Sequence, residues 1–225
     1  MAISKSGIRS VAVALSLVSV FTSASGLACG GDWYPEVRID PRIQGVARAE
    51  TLLSKGDYVA AAGSVVRMMP HIKTLEAKSD PLVARAERVL AVAIARSGGH
   101  LDRLQLEVPS SVLAHWTGKS DAQREQSLAW SVSALRSELE LKKDDPALQT
   151  QLGEALSRLE SGREEARTLL ESLAQRDLIA SPEGYKALAE LRMEHGDSAG
   201  RELAMKRCES MAADSKVCVS ERLTG

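Results

Sequence analysis

Aromatic side chains are scarce in this 225-residue chain: one Phe, three Trp and three Tyr make up 3% of it. The single Phe, Phe21, lies in an apolar segment near the N-terminus. So few rings give no platform on which nucleobases could stack. Charge is equally unhelpful to a polyanion: 29 Lys and Arg against 30 Asp and Glu leave a net −1. No nucleic-acid partner is expected. Long apolar runs are also lacking. Residues 11–21, VAVALSLVSVF, have about half of the ~20 residues that a spanning helix needs, and no second stretch approaches that length. Motifs for catalysis are absent too. The four histidines, His71, His100, His115 and His195, show no His-Glu-x-x-His or other metal-ligand spacing. There is no Gly-x-Ser-x-Gly elbow and no phosphate-binding glycine loop. The neighbours Asp144–Asp145 and Glu164–Glu165 would point about 100° apart on a helix and would not converge on a substrate. No enzyme activity, metal, cofactor or small-molecule substrate is expected.

What is present begins with export. Lys5 and Arg9 precede the apolar run, and the small residues TSASGLA follow it. A basic start, a short apolar run and small residues mark a bacterial-type secretory signal. A buried N-terminal helix is the weaker reading, because the run has no 3.6-residue period and no polar face. Leu27, Ala28 and Cys29 resemble the lipobox of bacterial lipoproteins, in which an apolar residue and small residues precede a cysteine. Here Leu27 stands two residues before the cysteine and Gly26 three before. The resemblance implies that residues 1–28 are removed and that Cys29 is acylated as the new N-terminus. An ordinary signal peptidase could instead cut after Gly26 or Ala28. Gly30 follows Cys29 in place of the aspartate that retains many lipoproteins at the inner membrane. By that resemblance the outer membrane is favoured, with the protein facing the periplasm. Loss of the leader removes Lys5 and Arg9 and takes the net charge from −1 to −3.

Cysteine count adds a separate argument. The chain has three cysteines, Cys29, Cys208 and Cys218, and an odd count leaves one thiol unpaired in an oxidising compartment. Lipid on Cys29 closes the count and leaves Cys208 and Cys218 to pair. A continuous helix through both would hold their Cα atoms ~15 Å apart, whereas a bridge needs less than about 7 Å. The helix should therefore stop between them, near Ala213-Asp214-Ser215.

The mature chain is rich in Ala, Leu, Arg and Glu, all good helix formers. Four marks punctuate it: Asp40-Pro41, Asp80-Pro81, Asp145-Pro146 and Ser181-Pro182. Asp or Ser before Pro reads as N-cap followed by first helical residue. Each mark opens an apolar-rich stretch that ends near glycine, at Gly56, Gly98-Gly99, Gly162 and Gly196, where a helix can terminate in the left-handed conformation. A second helical stretch follows each glycine. In the first unit, Ala49, Gly56-Asp57-Tyr58, Ala61, Val65 and Met68 resemble the tetratricopeptide repeat. The third unit shares the Leu152-Gly153 pair and Ala166 with that family, with Gly162 as its turn. The second unit carries an insertion at about 99–119, and its second helix is expected from about Asp121 to Lys142 with Leu128, Val132, Leu135 and Leu139 on one face.

The resemblance implies an all-α fold: a short right-handed superhelix of about four antiparallel helix–turn–helix, tetratricopeptide-like units. The expected organisation is a tether at 29–42, the repeat domain at 43–213 and a tail at 214–225. Such arrays present a groove lined mostly by the first helix of each unit, where a peptide or helix of another protein is held. Arg48, Arg85, Arg88 and Gln149 are the candidate partner-binding residues on those helices, with Trp116 in the insertion as a fifth. LQLEVPSSVLAHW of the insertion is apolar enough to pack back on the array, the preferred reading, or to meet a partner. Trp130 is expected in the core. Trp33 and Tyr34 have the amphipathic rings that favour a membrane interface. Two functional classes survive: a lipid-anchored envelope adaptor that binds another protein, and a soluble periplasmic or secreted helical subunit without the anchor.

Overall fold

The structure, a computed structural model, describes residues 40–75, 80–101 and 120–219. Cys29, Trp33, Tyr34 and Trp116 lie outside them. The described residues form eight α-helices and no strand. They are α1 (Pro41–Ser54), α2 (Tyr58–Met68), α3 (Pro81–Arg96), α4 (Asp121–Leu141), α5 (Pro146–Ser157), α6 (Arg163–Gln175), α7 (Pro182–Glu194) and α8 (Ser198–Met211). Helix α1 opens two residues before the expected domain start at 43, because its proline stands at the first helical position.

The four odd-numbered helices begin in one way. Asp40, Asp80, Asp145 and Ser181 are N-caps, each followed by proline. Asp80 accepts from the Leu82 amide at 2.8 Å, and Asp145 accepts from those of Ala147 and Leu148 at 2.9 and 3.1 Å. Each such cap stabilises its helix by about 1 kcal/mol. Helix α4 carries a capping box instead, in which Ser120 and Gln123 serve each other's backbone amides. The turns at Gly56, Gly98-Gly99 and Gly196 use positive φ. Gly162 departs from the expected left-handed turn: its φ is −98°. Space, not dihedral freedom, accounts for glycine there, since a Cβ would sit 2.7 Å from the Leu156 carbonyl oxygen. A 3₁₀ turn over Glu160–Gly162 leads directly into α6 at Arg163.

Packing follows the sequence units. Helices pair as α1 with α2, α3 with α4, α5 with α6 and α7 with α8. Each odd helix then packs on both helices of the preceding pair: α3 on α1 and α2, α5 on α3 and α4, α7 on α5 and α6. Small residues permit the close approaches. Ala49 and Ala61 are fully buried, and a Cβ on Gly153 would lie 2.7 Å from Leu170 of α6. One apolar cluster, with Val46, Val65, Ile72, Leu90 and Ile94, serves the first two pairs. A second, with Leu135, Leu148, Leu156, Leu170 and Leu188, serves the rest. Leu53, Trp130 and Leu159 touch both clusters. Each buried Leu or Ile stabilises the fold by roughly 1.5–3 kcal/mol.

Helix α8 ends at Met211, and Asp214 caps a 3₁₀ turn over Ser215–Cys218 that packs on α7 and α8. Cys208 and Cys218 are bonded, with Cα atoms 5.9 Å apart. The break in the helix falls where the bridge demands it. This part of the expected tail belongs to the folded body.

Candidate functional site

The odd helices are tied to one another by polar side chains. Arg85 of α3 donates from two nitrogens to the Glu50 carboxylate of α1. Arg88 of α3 donates to Gln151 of α5 at 2.8 Å and lies 3.7 Å from Glu138 of α4. Arg158, which caps the C-terminus of α5, is 3.6 Å from Glu190 of α7.

At the centre of this line stands Arg96, the last residue of α3. Its guanidinium donates to both oxygens of Glu154 on α5, at 2.8 and 3.2 Å. It also pairs with Glu183 of α7 at 3.2 Å. Tyr58, at the start of α2, donates its hydroxyl to Glu183 at 2.7 Å. Ser181, the cap of α7, donates its hydroxyl to Glu154. Arg96 further lies over the Tyr58 ring, 5.9 Å from its centroid, within range of a cation–π attraction. One connected network thus draws a side chain from each of the four helical pairs. It is well shielded, with side-chain exposures of 11% for Arg96, 5% for Glu154 and 17% for Glu183.

Environment sets the charge states. Burial raises the Tyr58 phenol well above its ordinary value, and the Glu183 carboxylate beside it adds to the rise. Tyr58 is therefore held as a hydrogen-bond donor. Burial alone would lower the Arg96 guanidinium, but the Glu154 and Glu183 carboxylates outweigh it and the net shift is upward.

A partly open cavity of about 70 Å³ lies against this network. Its polar lining is Tyr58, Arg96, Glu154, Arg158, Glu183 and Lys186, and its apolar wall is Ala95, Ala187 and Val217. Val217 belongs to the 3₁₀ turn that the Cys208–Cys218 bridge holds in place. Among the described residues, no group of three His, Cys, Asp or Glu is arranged to hold a metal ion, and no helix is long and apolar enough to cross a membrane.

The sequence candidates fare differently. Arg48 is exposed on α1. Arg85 and Arg88 point at neighbouring helices and serve as ties between units. Gln149 donates to the Lys143 carbonyl at 2.9 Å within its own connection, and Gln151 takes the cross-unit role. Cys29 and Trp116 lie outside the described residues. Sequence reasoning passed over Tyr58, Arg96, Glu154, Arg158, Ser181, Glu183 and Lys186 as a group. A signal existed for two of them. Arg96 lies eleven residues after Arg85, three helical turns on, and so shares its face to within about 20°. Glu154 is a lone charge among the small and apolar residues of LGEAL.

Compared with protein-family models, with curated proteins and with solved structures, the chain matches none.

Proposed function

We propose that this chain is a non-enzymatic adaptor of the bacterial cell envelope, exported by its leader and anchored through lipid on Cys29. On this reading the four helical pairs form a short right-handed superhelix of the tetratricopeptide type. The line of odd-numbered helices then faces another protein. The observation that supports it most is the side-by-side packing of α1, α3, α5 and α7, cross-tied by Glu50–Arg85, Arg88–Gln151 and Arg96–Glu154. A rigid row of helices offers an extended surface to a partner polypeptide. The cavity on it, about 70 Å³, is far below the ~300–1,000 Å³ of sites that enclose a small molecule. It suits one side chain of a larger partner.

The test has two arms. A photo-crosslinking amino acid at Arg48 on α1 is compared in living cells with one at Ser133, exposed on α4. One defined envelope protein captured from Arg48 and not from Ser133 is the expected result. Equal capture from both positions, or none from either, overturns the adaptor. Intact mass of the mature chain reads the anchor: residues 29–225 plus a diacylglyceryl group and an acyl chain are expected. A bare chain in the soluble fraction removes the anchor from the proposal.

A further inference from the structure

Donors and acceptors are out of balance in the cavity. Its lining carries three cations, Arg96, Arg158 and Lys186, against two carboxylates, Glu154 and Glu183. Glu154 commits both oxygens to Arg96 and one also to Ser181, while Glu183 takes Tyr58 and Arg96. Of the other two cations, Arg158 faces a carboxylate and Lys186 does not. Glu190 lies 3.6 Å from Arg158, beyond good hydrogen-bond distance. Lys186 is half-buried, and among the described residues its ammonium has no hydrogen-bond or ion-pair partner. Glu183 and Glu190 flank it on α7 at three and four positions along the helix, yet neither pairs with it.

We propose that this cavity is an anchor for a single carboxylate on a short aliphatic stem. The inference deepens the adaptor reading and rests on it for what carries the carboxylate: an Asp or Glu side chain, or the chain end, of the partner polypeptide. Lys186 is the lining cation without a carboxylate partner among the described residues, and one unpaired ammonium matches a monoanion and leaves a phosphate dianion undercompensated. Partial removal from water strengthens a carboxylate–ammonium pair relative to one on an open surface. The volume of about 70 Å³ is well above the roughly 10–15 Å³ that a single water needs, so there is room for a carboxylate. The apolar wall of Ala95, Ala187 and Val217 suits the methylenes behind it. Arg158 supplies a planar donor and Lys186 a point charge.

The test is an amide NMR titration of the mature chain with four probes at matched ionic strength. They are sodium acetate, the peptide acetyl-Ala-Glu-Ala-amide, N-acetyl-trialanine with a free C-terminus, and acetyl-Ala-Gln-Ala-amide as the uncharged control. Saturable shifts centred on residues 183–187 are expected with acetate and with at least one carboxylate peptide. They should weaken tenfold or more in both Lys186→Met and Lys186→Gln and remain unchanged in Ser133→Ala, exposed on α4. Saturation by the Glu peptide alone assigns an acidic side chain, and saturation by trialanine alone assigns a chain end. Saturation by acetate without either peptide keeps the carboxylate site but detaches it from a polypeptide partner. No saturation by any probe overturns the proposal. So does equal response to the Gln peptide, or unchanged affinity in the Lys186 variants. Crosslinking from Arg48 that persists in the Lys186 variants would leave the adaptor standing while the carboxylate anchor falls.

Discussion

Tyr58, at the start of the second helix, donates its hydroxyl to Glu183 of the seventh at 2.7 Å, across 125 positions of the chain. The first and last helical pairs therefore meet through one polar contact, although the helices between them carry most of the packing.

Removing that contact should be felt but survived. Tyr58→Phe deletes one hydrogen bond and leaves Glu183 with Arg96, for an expected loss of about 1–2 kcal/mol. Urea unfolding measures it, and an unchanged m-value would show that the array keeps its compactness. The variant also carries a pH signature. The folded-state phenol is raised above its ordinary value of 10.0, so above about pH 10 the unfolded chain loses this proton first. Stability contributed by the protonated phenol is complete below that pH and falls as pH rises. Unfolding free energies at pH 9 and 11 should therefore differ less in Tyr58→Phe than in the parent.

Arg96→Met should be much more severe. Glu154, 5% exposed, would keep only Ser181 as a side-chain donor, and an uncompensated buried charge costs roughly 3–5 kcal/mol. Thermal unfolding reads this directly. The double variant Arg96→Met with Glu154→Leu should recover part of the loss, because the stranded charge goes with its partner.

Cys208 and Cys218 close a loop of ten residues' separation. Loop-closure entropy gives such a bridge roughly 2–3 kcal/mol. Replacing both cysteines by serine should lower Tm accordingly. The first amide protection lost in hydrogen exchange should be that of the Ser215–Cys218 turn, which carries Val217 to the cavity wall.

Glu87 on α3 lies half-buried, and burial followed by the neighbouring Glu138 carboxylate raises it above its ordinary 4.5. A raised acid destabilises the folded state where it is ionised, above that ordinary value, and is neutral in effect where both states are protonated. Glu87→Gln should therefore unfold at a higher temperature than the parent at pH 7, with the gain vanishing near pH 3. Arg88 is the cation on the same helix nearest in sequence and pairs instead with Glu138 at 3.7 Å. Scanning calorimetry at the two pH values measures the difference.

Much of the fold was legible because helix ends are local events. Asp40-Pro41, Asp80-Pro81, Asp145-Pro146 and Ser181-Pro182 each mark a helix start within the residue, since cap and proline act on amides two or three positions away. The end of α4 came within one residue of expectation for the same reason. Gly162 shows the limit. From sequence it looks like the other turn glycines, but its role is clearance from Leu156, a contact that no dihedral preference encodes.

By itself, then, the sequence determined an all-helical body, the pairing of helices that follow one another along the chain, and a helix break that lets Cys208 reach Cys218. Those outcomes depend on backbone chemistry and on spacing along the chain. Only the tertiary structure decided that Arg85 and Arg88 tie helices together, and that Tyr58, Arg96, Glu154 and Glu183 converge on one cavity while Lys186 lines it without a partner. The physical reason is rotation. The direction of a side chain several turns along a helix, and the angle at which the next pair packs, are set by how the small residues at the contacts let the helices approach. That geometry is fixed only when all four pairs are in place.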